Sequence, residues 1–187
     1  MGAILVQAPA SEPVSLAGAR AHLRIVGNDD DALLASLITA ARRVVEARTG
    51  LCLIAQAWMC FRDGWPEDGI IALPVAPLLD VEELAVFGED DQKAVIDPAH
   101  YIVDAVSRPP RVLLRGSRQW QRPGRAVNGI GIRVAAGFGA AGDVPQPLRQ
   151  AVLLLVAHFF AQRGDEAGPA LPAGLGALLD PFRGVRL

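Results

Sequence analysis

The sequence predicts an α+β fold, and three observations predict it. Residues 31–49 keep one helical period, residues 51–136 break into short strand-like runs separated by turns, and residues 146–163 return to a helical period. The expected architecture is an N-terminal helix pair and a C-terminal helix forming a small bundle. An antiparallel β-rich region, residues 51–136, is inserted between them, and residues 165–187 form an extended C-terminal segment. With 187 residues in all, residues 1–164 suit one domain carrying an insertion.

The first helix is expected over residues 15–23. Ser15 can cap it, and Leu16, Ala19 and Leu23 share a face. A polar break follows at Gly27-Asn28-Asp29-Asp30-Asp31. In the second helix Leu33, Leu34, Leu37, Ile38, Ala41, Val44, Val45 and Arg48 fall on one side. Ser36, Thr39, Arg42, Arg43 and Glu46 fall on the other. Asn28 to Asp31 supply caps and negative charge at the positive end of the helix dipole, and Gly50 is a natural stop.

Strands are expected at residues 54–61, 70–73, 81–87, 101–103, 111–114 and 129–135, with turns at Gly64-Trp65-Pro66 and in the acidic run 88–92. The last helix opens after Val144-Pro145-Gln146-Pro147, where proline has no N–H to lose. Leu148, Ala151, Val152, Leu155, Val156, Phe159 and Phe160 give it a wide apolar face, and Gly164 ends it. Residues 165–175 are rich in Gly, Pro and Ala and read as flexible or extended chain. The chain then turns apolar again at Leu178-Leu179-Asp180-Pro181-Phe182-Arg183. Such a patch is either a docking segment or a fold-back onto its own domain; the residues alone leave both open.

Composition removes several classes of function. Apolar residues make up 51% and charged residues 20%, as in a folded globular protein. The longest apolar run, residues 151–161, falls short of the roughly 20 residues that a membrane-spanning helix needs. The opening ten residues lack a basic region and reach Pro9, so no signal peptide is expected and the setting is a cytosol. Net charge is −2, which gives no global pull toward nucleic acid. Cys52 and Cys60 form no C-x-x-C pair and read as small buried hydrophobes.

One motif suggests a cofactor. Gly137-Phe138-Gly139-Ala140-Ala141-Gly142 matches the G-x-G-x-x-G fingerprint of dinucleotide binding. Its context does not fit. Residues 143–147 separate it from the helix, Asp143 would face the phosphates, and no second strand follows to carry a ribose-binding acid. It reads as a strand-to-helix turn, and no cofactor is expected. A second candidate is the arginine series Arg108, Arg111, Arg115, Arg118, Arg122 and Arg125 with Trp120. Arginine beside an aromatic can grip phosphate and stack on bases, but such a series is more often the solvated rim of a hairpin or a polar protein–protein surface. Arg111, Arg115, Arg118, Trp120 and Arg122 are therefore candidate interface or DNA-facing residues. His22, His100 and His158 join no nucleophile, Asp29 to Asp31 lack the spacing of a calcium loop, and no P-loop, H-E-x-x-H or G-x-S-x-G is present. Neither catalysis nor a metal is expected.

The order of segments resembles the head–tail connector, or adaptor, family of long-tailed phages, including the adaptors of gene transfer agents. Pro13-Val14-Ser15-Leu16 with Ala19 and His22-Leu23 is similar to the family's first helix, and residues 30–53 to its second. Leu73-Pro74-Val75-Ala76-Pro77-Leu78, then Val81 and Val86, resembles a Leu-Pro-x-x-Pro-Leu strand segment. Ala136-Gly137-Phe138-Gly139, Val144-Pro145 and Leu148-Arg149-Gln150-Ala151 resemble the lead-in to the last helix. Leu179-Asp180-Pro181-Phe182-Arg183 resembles the closing segment. The resemblance implies a non-enzymatic ring of twelve subunits between the portal protein and the next tail-side ring, a stopper or tail terminator. Double-stranded DNA would pass through its channel without sequence reading. It further implies that Leu178, Leu179, Pro181, Phe182 and Arg183 dock on the portal, and that the protein resides in a virion or phage-like particle assembled in the bacterial cytoplasm, with no membrane partner. The alternatives are a nucleic-acid-binding accessory protein using the loop of residues 108–125, and a tail-side completion protein.

Overall fold

Twelve helices and strands with defined limits emerge from a computed structural model that describes residues 1–116, 120–162 and 171–183. The chain divides into two compact units. One comprises Met1–Ala10 with Ala55–Phe138, and the other Ser11–Ile54 with Gly139–Leu187.

The second unit is helical. It contains α1 (Leu16–Leu23), α2 (Asp31–Thr49), α3 (Gln146–Ala161) and the short α4 (Gly174–Leu179). Ser15 caps α1 as expected, its Oγ accepting the Gly18 N–H at 3.0 Å. Gly50 ends α2 at φ +70°, where a side chain would be strained, and its N–H reaches the Glu46 carbonyl at 2.8 Å. α2 packs on α3, α1 touches both, and α4 lies on α3. The shared core holds Leu34, Ile38, Ala41 and Val45 from α2, and Leu148, Ala151, Val152, Leu155 and Val156 from α3.

Two expectations on α2 need correction. Arg48, placed on the apolar face, is exposed, and Arg42, placed on the polar face, is buried. The buried row runs 34, 38, 41, 45, 49, and Arg42 flanks it. There its Nε bonds Glu12 Oε2 at 2.7 Å and its guanidinium bonds Glu46 Oε2 at 2.8 Å. Thr39 Oγ1 donates to the other Glu12 oxygen at 2.8 Å, and Glu46 Oε1 accepts the Leu53 N–H at 2.8 Å. Burial opposes the charge on Arg42. The hydrogen bond to Glu12 and the charges of Glu46 and Glu12 outweigh it and hold the guanidinium pKa above its ordinary value. A buried cation is tolerated here because two carboxylates satisfy it.

The C-terminal segment also differs from expectation. Residues 174–179 are helical and continue into a 3₁₀ turn at Asp180–Phe182. Gly174 and Gly176 are poor helix formers, so the helix depends on packing. Leu175 and Leu179, one turn apart, are 2% and 0% exposed. The expected stop at Gly164 and residues 165–170 lie outside the described residues.

The first unit is built from strands, all paired antiparallel. They are β1 (Gly2–Gln7), β2 (Gln56–Arg62), β3 (Ile70–Ala72), β4 (Leu78–Phe87), β5 (Lys93–Val95), β6 (Tyr101–Asp104), β7 (Arg111–Leu114) and β8 (Ile130–Ala136). A five-stranded sheet runs β1-β2-β8-β4-β5 and a three-stranded sheet runs β3-β7-β6. β8 is central, pairing with β2 along its whole length and with β4 on its other side. Cys60, Ile132 and Leu84 lie side by side on one face of that sheet and are fully buried, as are Ile130 and Val134. Burial pushes the Cys60 thiol up to about 11, so it behaves as the apolar core residue expected. Two strands escaped the sequence reading. β5 has three residues behind an acidic turn. β1 has no period-2 alternation to betray it, and it pairs with a strand that follows two helices.

Leu179→Ala should cost the helical unit about 2–5 kcal/mol, the range for truncating a fully buried leucine. Urea unfolding followed by far-ultraviolet circular dichroism measures it. A change below about 0.5 kcal/mol would mean that α4 does not hold its place in solution.

Candidate functional site

The glycine-rich turn is the first place to look for a ligand, and its chemistry is already used. Gly137 and Gly139 have φ of +136° and +116°, which favour glycine. The Asp143 carboxylate folds back to accept the Ala140 N–H at 2.9 Å, and a Cβ on Gly139 would stand 2.7 Å from Asp143 Oδ2. The turn's own aspartate therefore takes an amide that a phosphate would need. α3 starts at Gln146, beyond the motif. This is a strand-to-helix turn.

The arginine series divides into paired and exposed members. Arg111 Nε bonds Asp104 Oδ2 at 2.8 Å. Arg125 pairs with Asp91 and lies over the Phe87 ring, 4.3 Å from its centroid. Arg115 is exposed and donates to the Tyr101 carbonyl at 3.2 Å. Arg108 and Arg122 are exposed, and Arg118 lies outside the described residues. Trp120 packs against Trp65, with ring centroids 5.6 Å apart, and edge-on to His100 at 6.3 Å. The Trp65 indole N–H donates to the Gln121 carbonyl at 2.9 Å. A hollow of about 380 Å³ beside this cluster is lined by Val86, Val95, Ile96, Asp97, His100 and Trp120. The aromatics thus pin the loop against its own unit, and two of the described arginines are neutralised by acids.

Asp104 organises the β6–β7 connection. It accepts the Ser107 hydroxyl at 2.7 Å, the Ser107 N–H at 3.0 Å, the Val106 N–H at 3.2 Å and the Arg111 guanidinium. The Ser107 bonds first, then Arg111, hold its carboxyl well below the usual carboxylate range. This site was not legible in the sequence, although an Asp-x-x-Ser spacing at a turn is a known local signal.

The expected docking residues do not share one environment. Leu179 is fully buried, Leu178 and Phe182 are half-buried, and Pro181 and Arg183 are exposed, with Arg183 bonded to Asp180 at 3.0 Å. His22 is exposed and His158 stacks beside Phe159. Among the described residues, no group of three or more His, Cys, Asp or Glu is placed to hold a metal, and no helix is long and apolar enough to cross a membrane.

The described residues thus form two folded units, one helical and one built from antiparallel strands. No curated protein sequence matches the chain. The family model of the phage gp6-like head–tail connector protein matches residues 13–106, and the chain belongs to that family of structural, non-enzymatic connectors. Three solved structures are similar over 100% of this chain and 97% of theirs, each at 28% identity. They are chains from the neck of an empty gene transfer agent particle in C6 symmetry (TM-score 0.87), from the virion of a native gene transfer agent particle (0.86), and from the neck of the native particle in C12 symmetry (0.83).

A carboxyl whose folded pKa is depressed stabilises the fold above its unfolded pKa, and that contribution disappears as pH falls through the folded value. Asp104→Asn should therefore lower the thermal midpoint at neutral pH, with the gap to wild type closing below about pH 4. Unfolding curves between about pH 2 and 7 test this. A gap independent of pH would show that the Asp104 charge does not hold the turn.

Proposed function

We propose that twelve copies of this chain form a ring between the portal and the next tail-side ring of a phage or gene transfer agent particle, with double-stranded DNA passing through the channel. The observation that carries this reading is the whole-length likeness to neck chains, one of them in a C12 neck. C6 is a subgroup of C12, so the two neck structures agree with one ring size. The charge is compatible. Net charge is −2, and Arg111 and Arg125 are committed to Asp104 and Asp91, which leaves fewer cations in the loop to hold DNA. The particle assembles in the bacterial cytoplasm, where its DNA is packaged.

In this reading the C-terminal segment meets the portal through Leu178, Pro181, Phe182 and Arg183, while Leu179 anchors the segment to the helical unit. The loop with Arg115, Trp120 and Arg122 meets the tail-side ring. A truncation before Leu179 would confound docking with unfolding, so the test uses the Phe182→Ala/Arg183→Glu double variant in the full chain. Its circular dichroism should match wild type, and its capture by the cognate portal ring should fall at least about tenfold, equivalent to 1.4 kcal/mol. Unchanged capture would move the contact elsewhere on the subunit. No capture of wild type, together with steep salt-dependent binding to duplex DNA, would favour a nucleic-acid accessory role instead.

A further inference from the structure

The tip of the β6–β7 hairpin presents an apolar side chain on a fixed backbone. Val106 is 93% exposed, yet its N–H and that of Ser107 are both held by Asp104 Oδ1, at 3.2 and 3.0 Å. Asp104 Oδ2 holds the Ser107 hydroxyl and Arg111. A single exposed valine needs no explanation by itself. This one is ordered in advance, so burying it against a partner costs little further backbone freedom. Arg108 stands exposed beside it and supplies a cation to the tip, whereas Arg111 is spent on Asp104.

The other end of the same hairpin carries a hollow. Tyr101 pairs with Leu114 and Asp104 with Arg111, so four-residue strands set the two ends about 10 Å apart. The hollow, about 380 Å³, lies beyond the Tyr101 end. Val86, Ala94, Ile96 and Trp120 make it apolar, and two exposed residues, Val95 and Asp97, line its open side. An apolar tip with a cation and an apolar hollow with an acid are complementary. They sit at opposite ends of one hairpin, and a head-to-tail contact that closes into a ring needs two different surfaces on each subunit. We propose that Val106 of one subunit enters this hollow in the next copy of this chain, with Arg108 of the first facing Asp97 of the second. The inference rests on the ring reading above. It gives the Trp120 ring to the neighbouring copy and leaves Arg115 and Arg122 to the tail side.

The test uses the full chain assembled on its cognate portal ring. Val106→Cys and Val95→Cys are made singly and together, and each assembly is treated with a short bismaleimide. Val95 is 58% exposed, so both positions are open to the reagent. The native Cys52 and Cys60 are buried, so wild type supplies a silent background. The expected result is a covalent ladder of dimer, trimer and larger species from the double variant, with neither single variant cross-linking. Electron micrographs of the same samples score ring formation independently. Rings without a ladder would overturn the tip-in-hollow contact and leave the ring reading standing. Dimers from either single variant would overturn it in favour of a two-fold contact. Absence of rings on the portal for wild type would overturn both. As a second measurement, Val106→Asp sets a like charge against Asp97 of the next copy. It should leave the thermal midpoint unchanged and reduce ring occupancy at least about tenfold; full occupancy would contradict the proposal.

Discussion

The pairing of β1 with β2 is the constraint on which the organisation of the chain depends. Gly2–Gln7 lies antiparallel to Gln56–Arg62, although two helices separate them in sequence. The segment Ser11–Ile54 therefore leaves the sheet from one strand and returns into its neighbour. That pairing makes the β-unit discontinuous in sequence and leaves β1 at an edge. The chain leaves the sheet a second time from β8, the central strand, through the Gly137–Gly139 turn that leads toward α3. The glycines at that turn are required by positive φ, and Asp143 closes it from within.

Each unit settles its polar groups locally. In the helical unit Arg42 is balanced by Glu12 and Glu46, which tie the chain before α1 to the flank of α2. In the β-unit Asp104 ties the end of β6 to Arg111 at the start of β7. These pairings consume charges that a purely sequence-based view leaves available for partners. The connector role follows from the family to which the chain belongs.

What was legible in the sequence followed periodicity and end signals. The period of α2, the Ser15 cap, the Gly50 stop and the central strand β8 were each carried by local residues, and the structure places them as expected. β1 was hidden because Ile4, Leu5 and Val6 form an unbroken apolar run with no alternation, and its partner is remote. α4 was hidden because Gly174 and Gly176 argue for loop, while the Leu175 and Leu179 contacts that fix it are tertiary. Arg42 shows the same limit, since only the fold brings Glu12 to it. Among the candidate docking residues, the sequence could mark an apolar patch but could not separate the inward Leu179 from the exposed Pro181 and Arg183.

A connector is the physical joint between a filled head and its tail, so removing it from the producing cell tests the central claim most directly. The measurement is electron microscopy of particles from cells lacking only this chain, with the chain supplied in trans as the control. The account predicts heads and tails that are each complete but unjoined, with joining restored by the supplied chain. Tailed particles at normal yield without it would contradict the account.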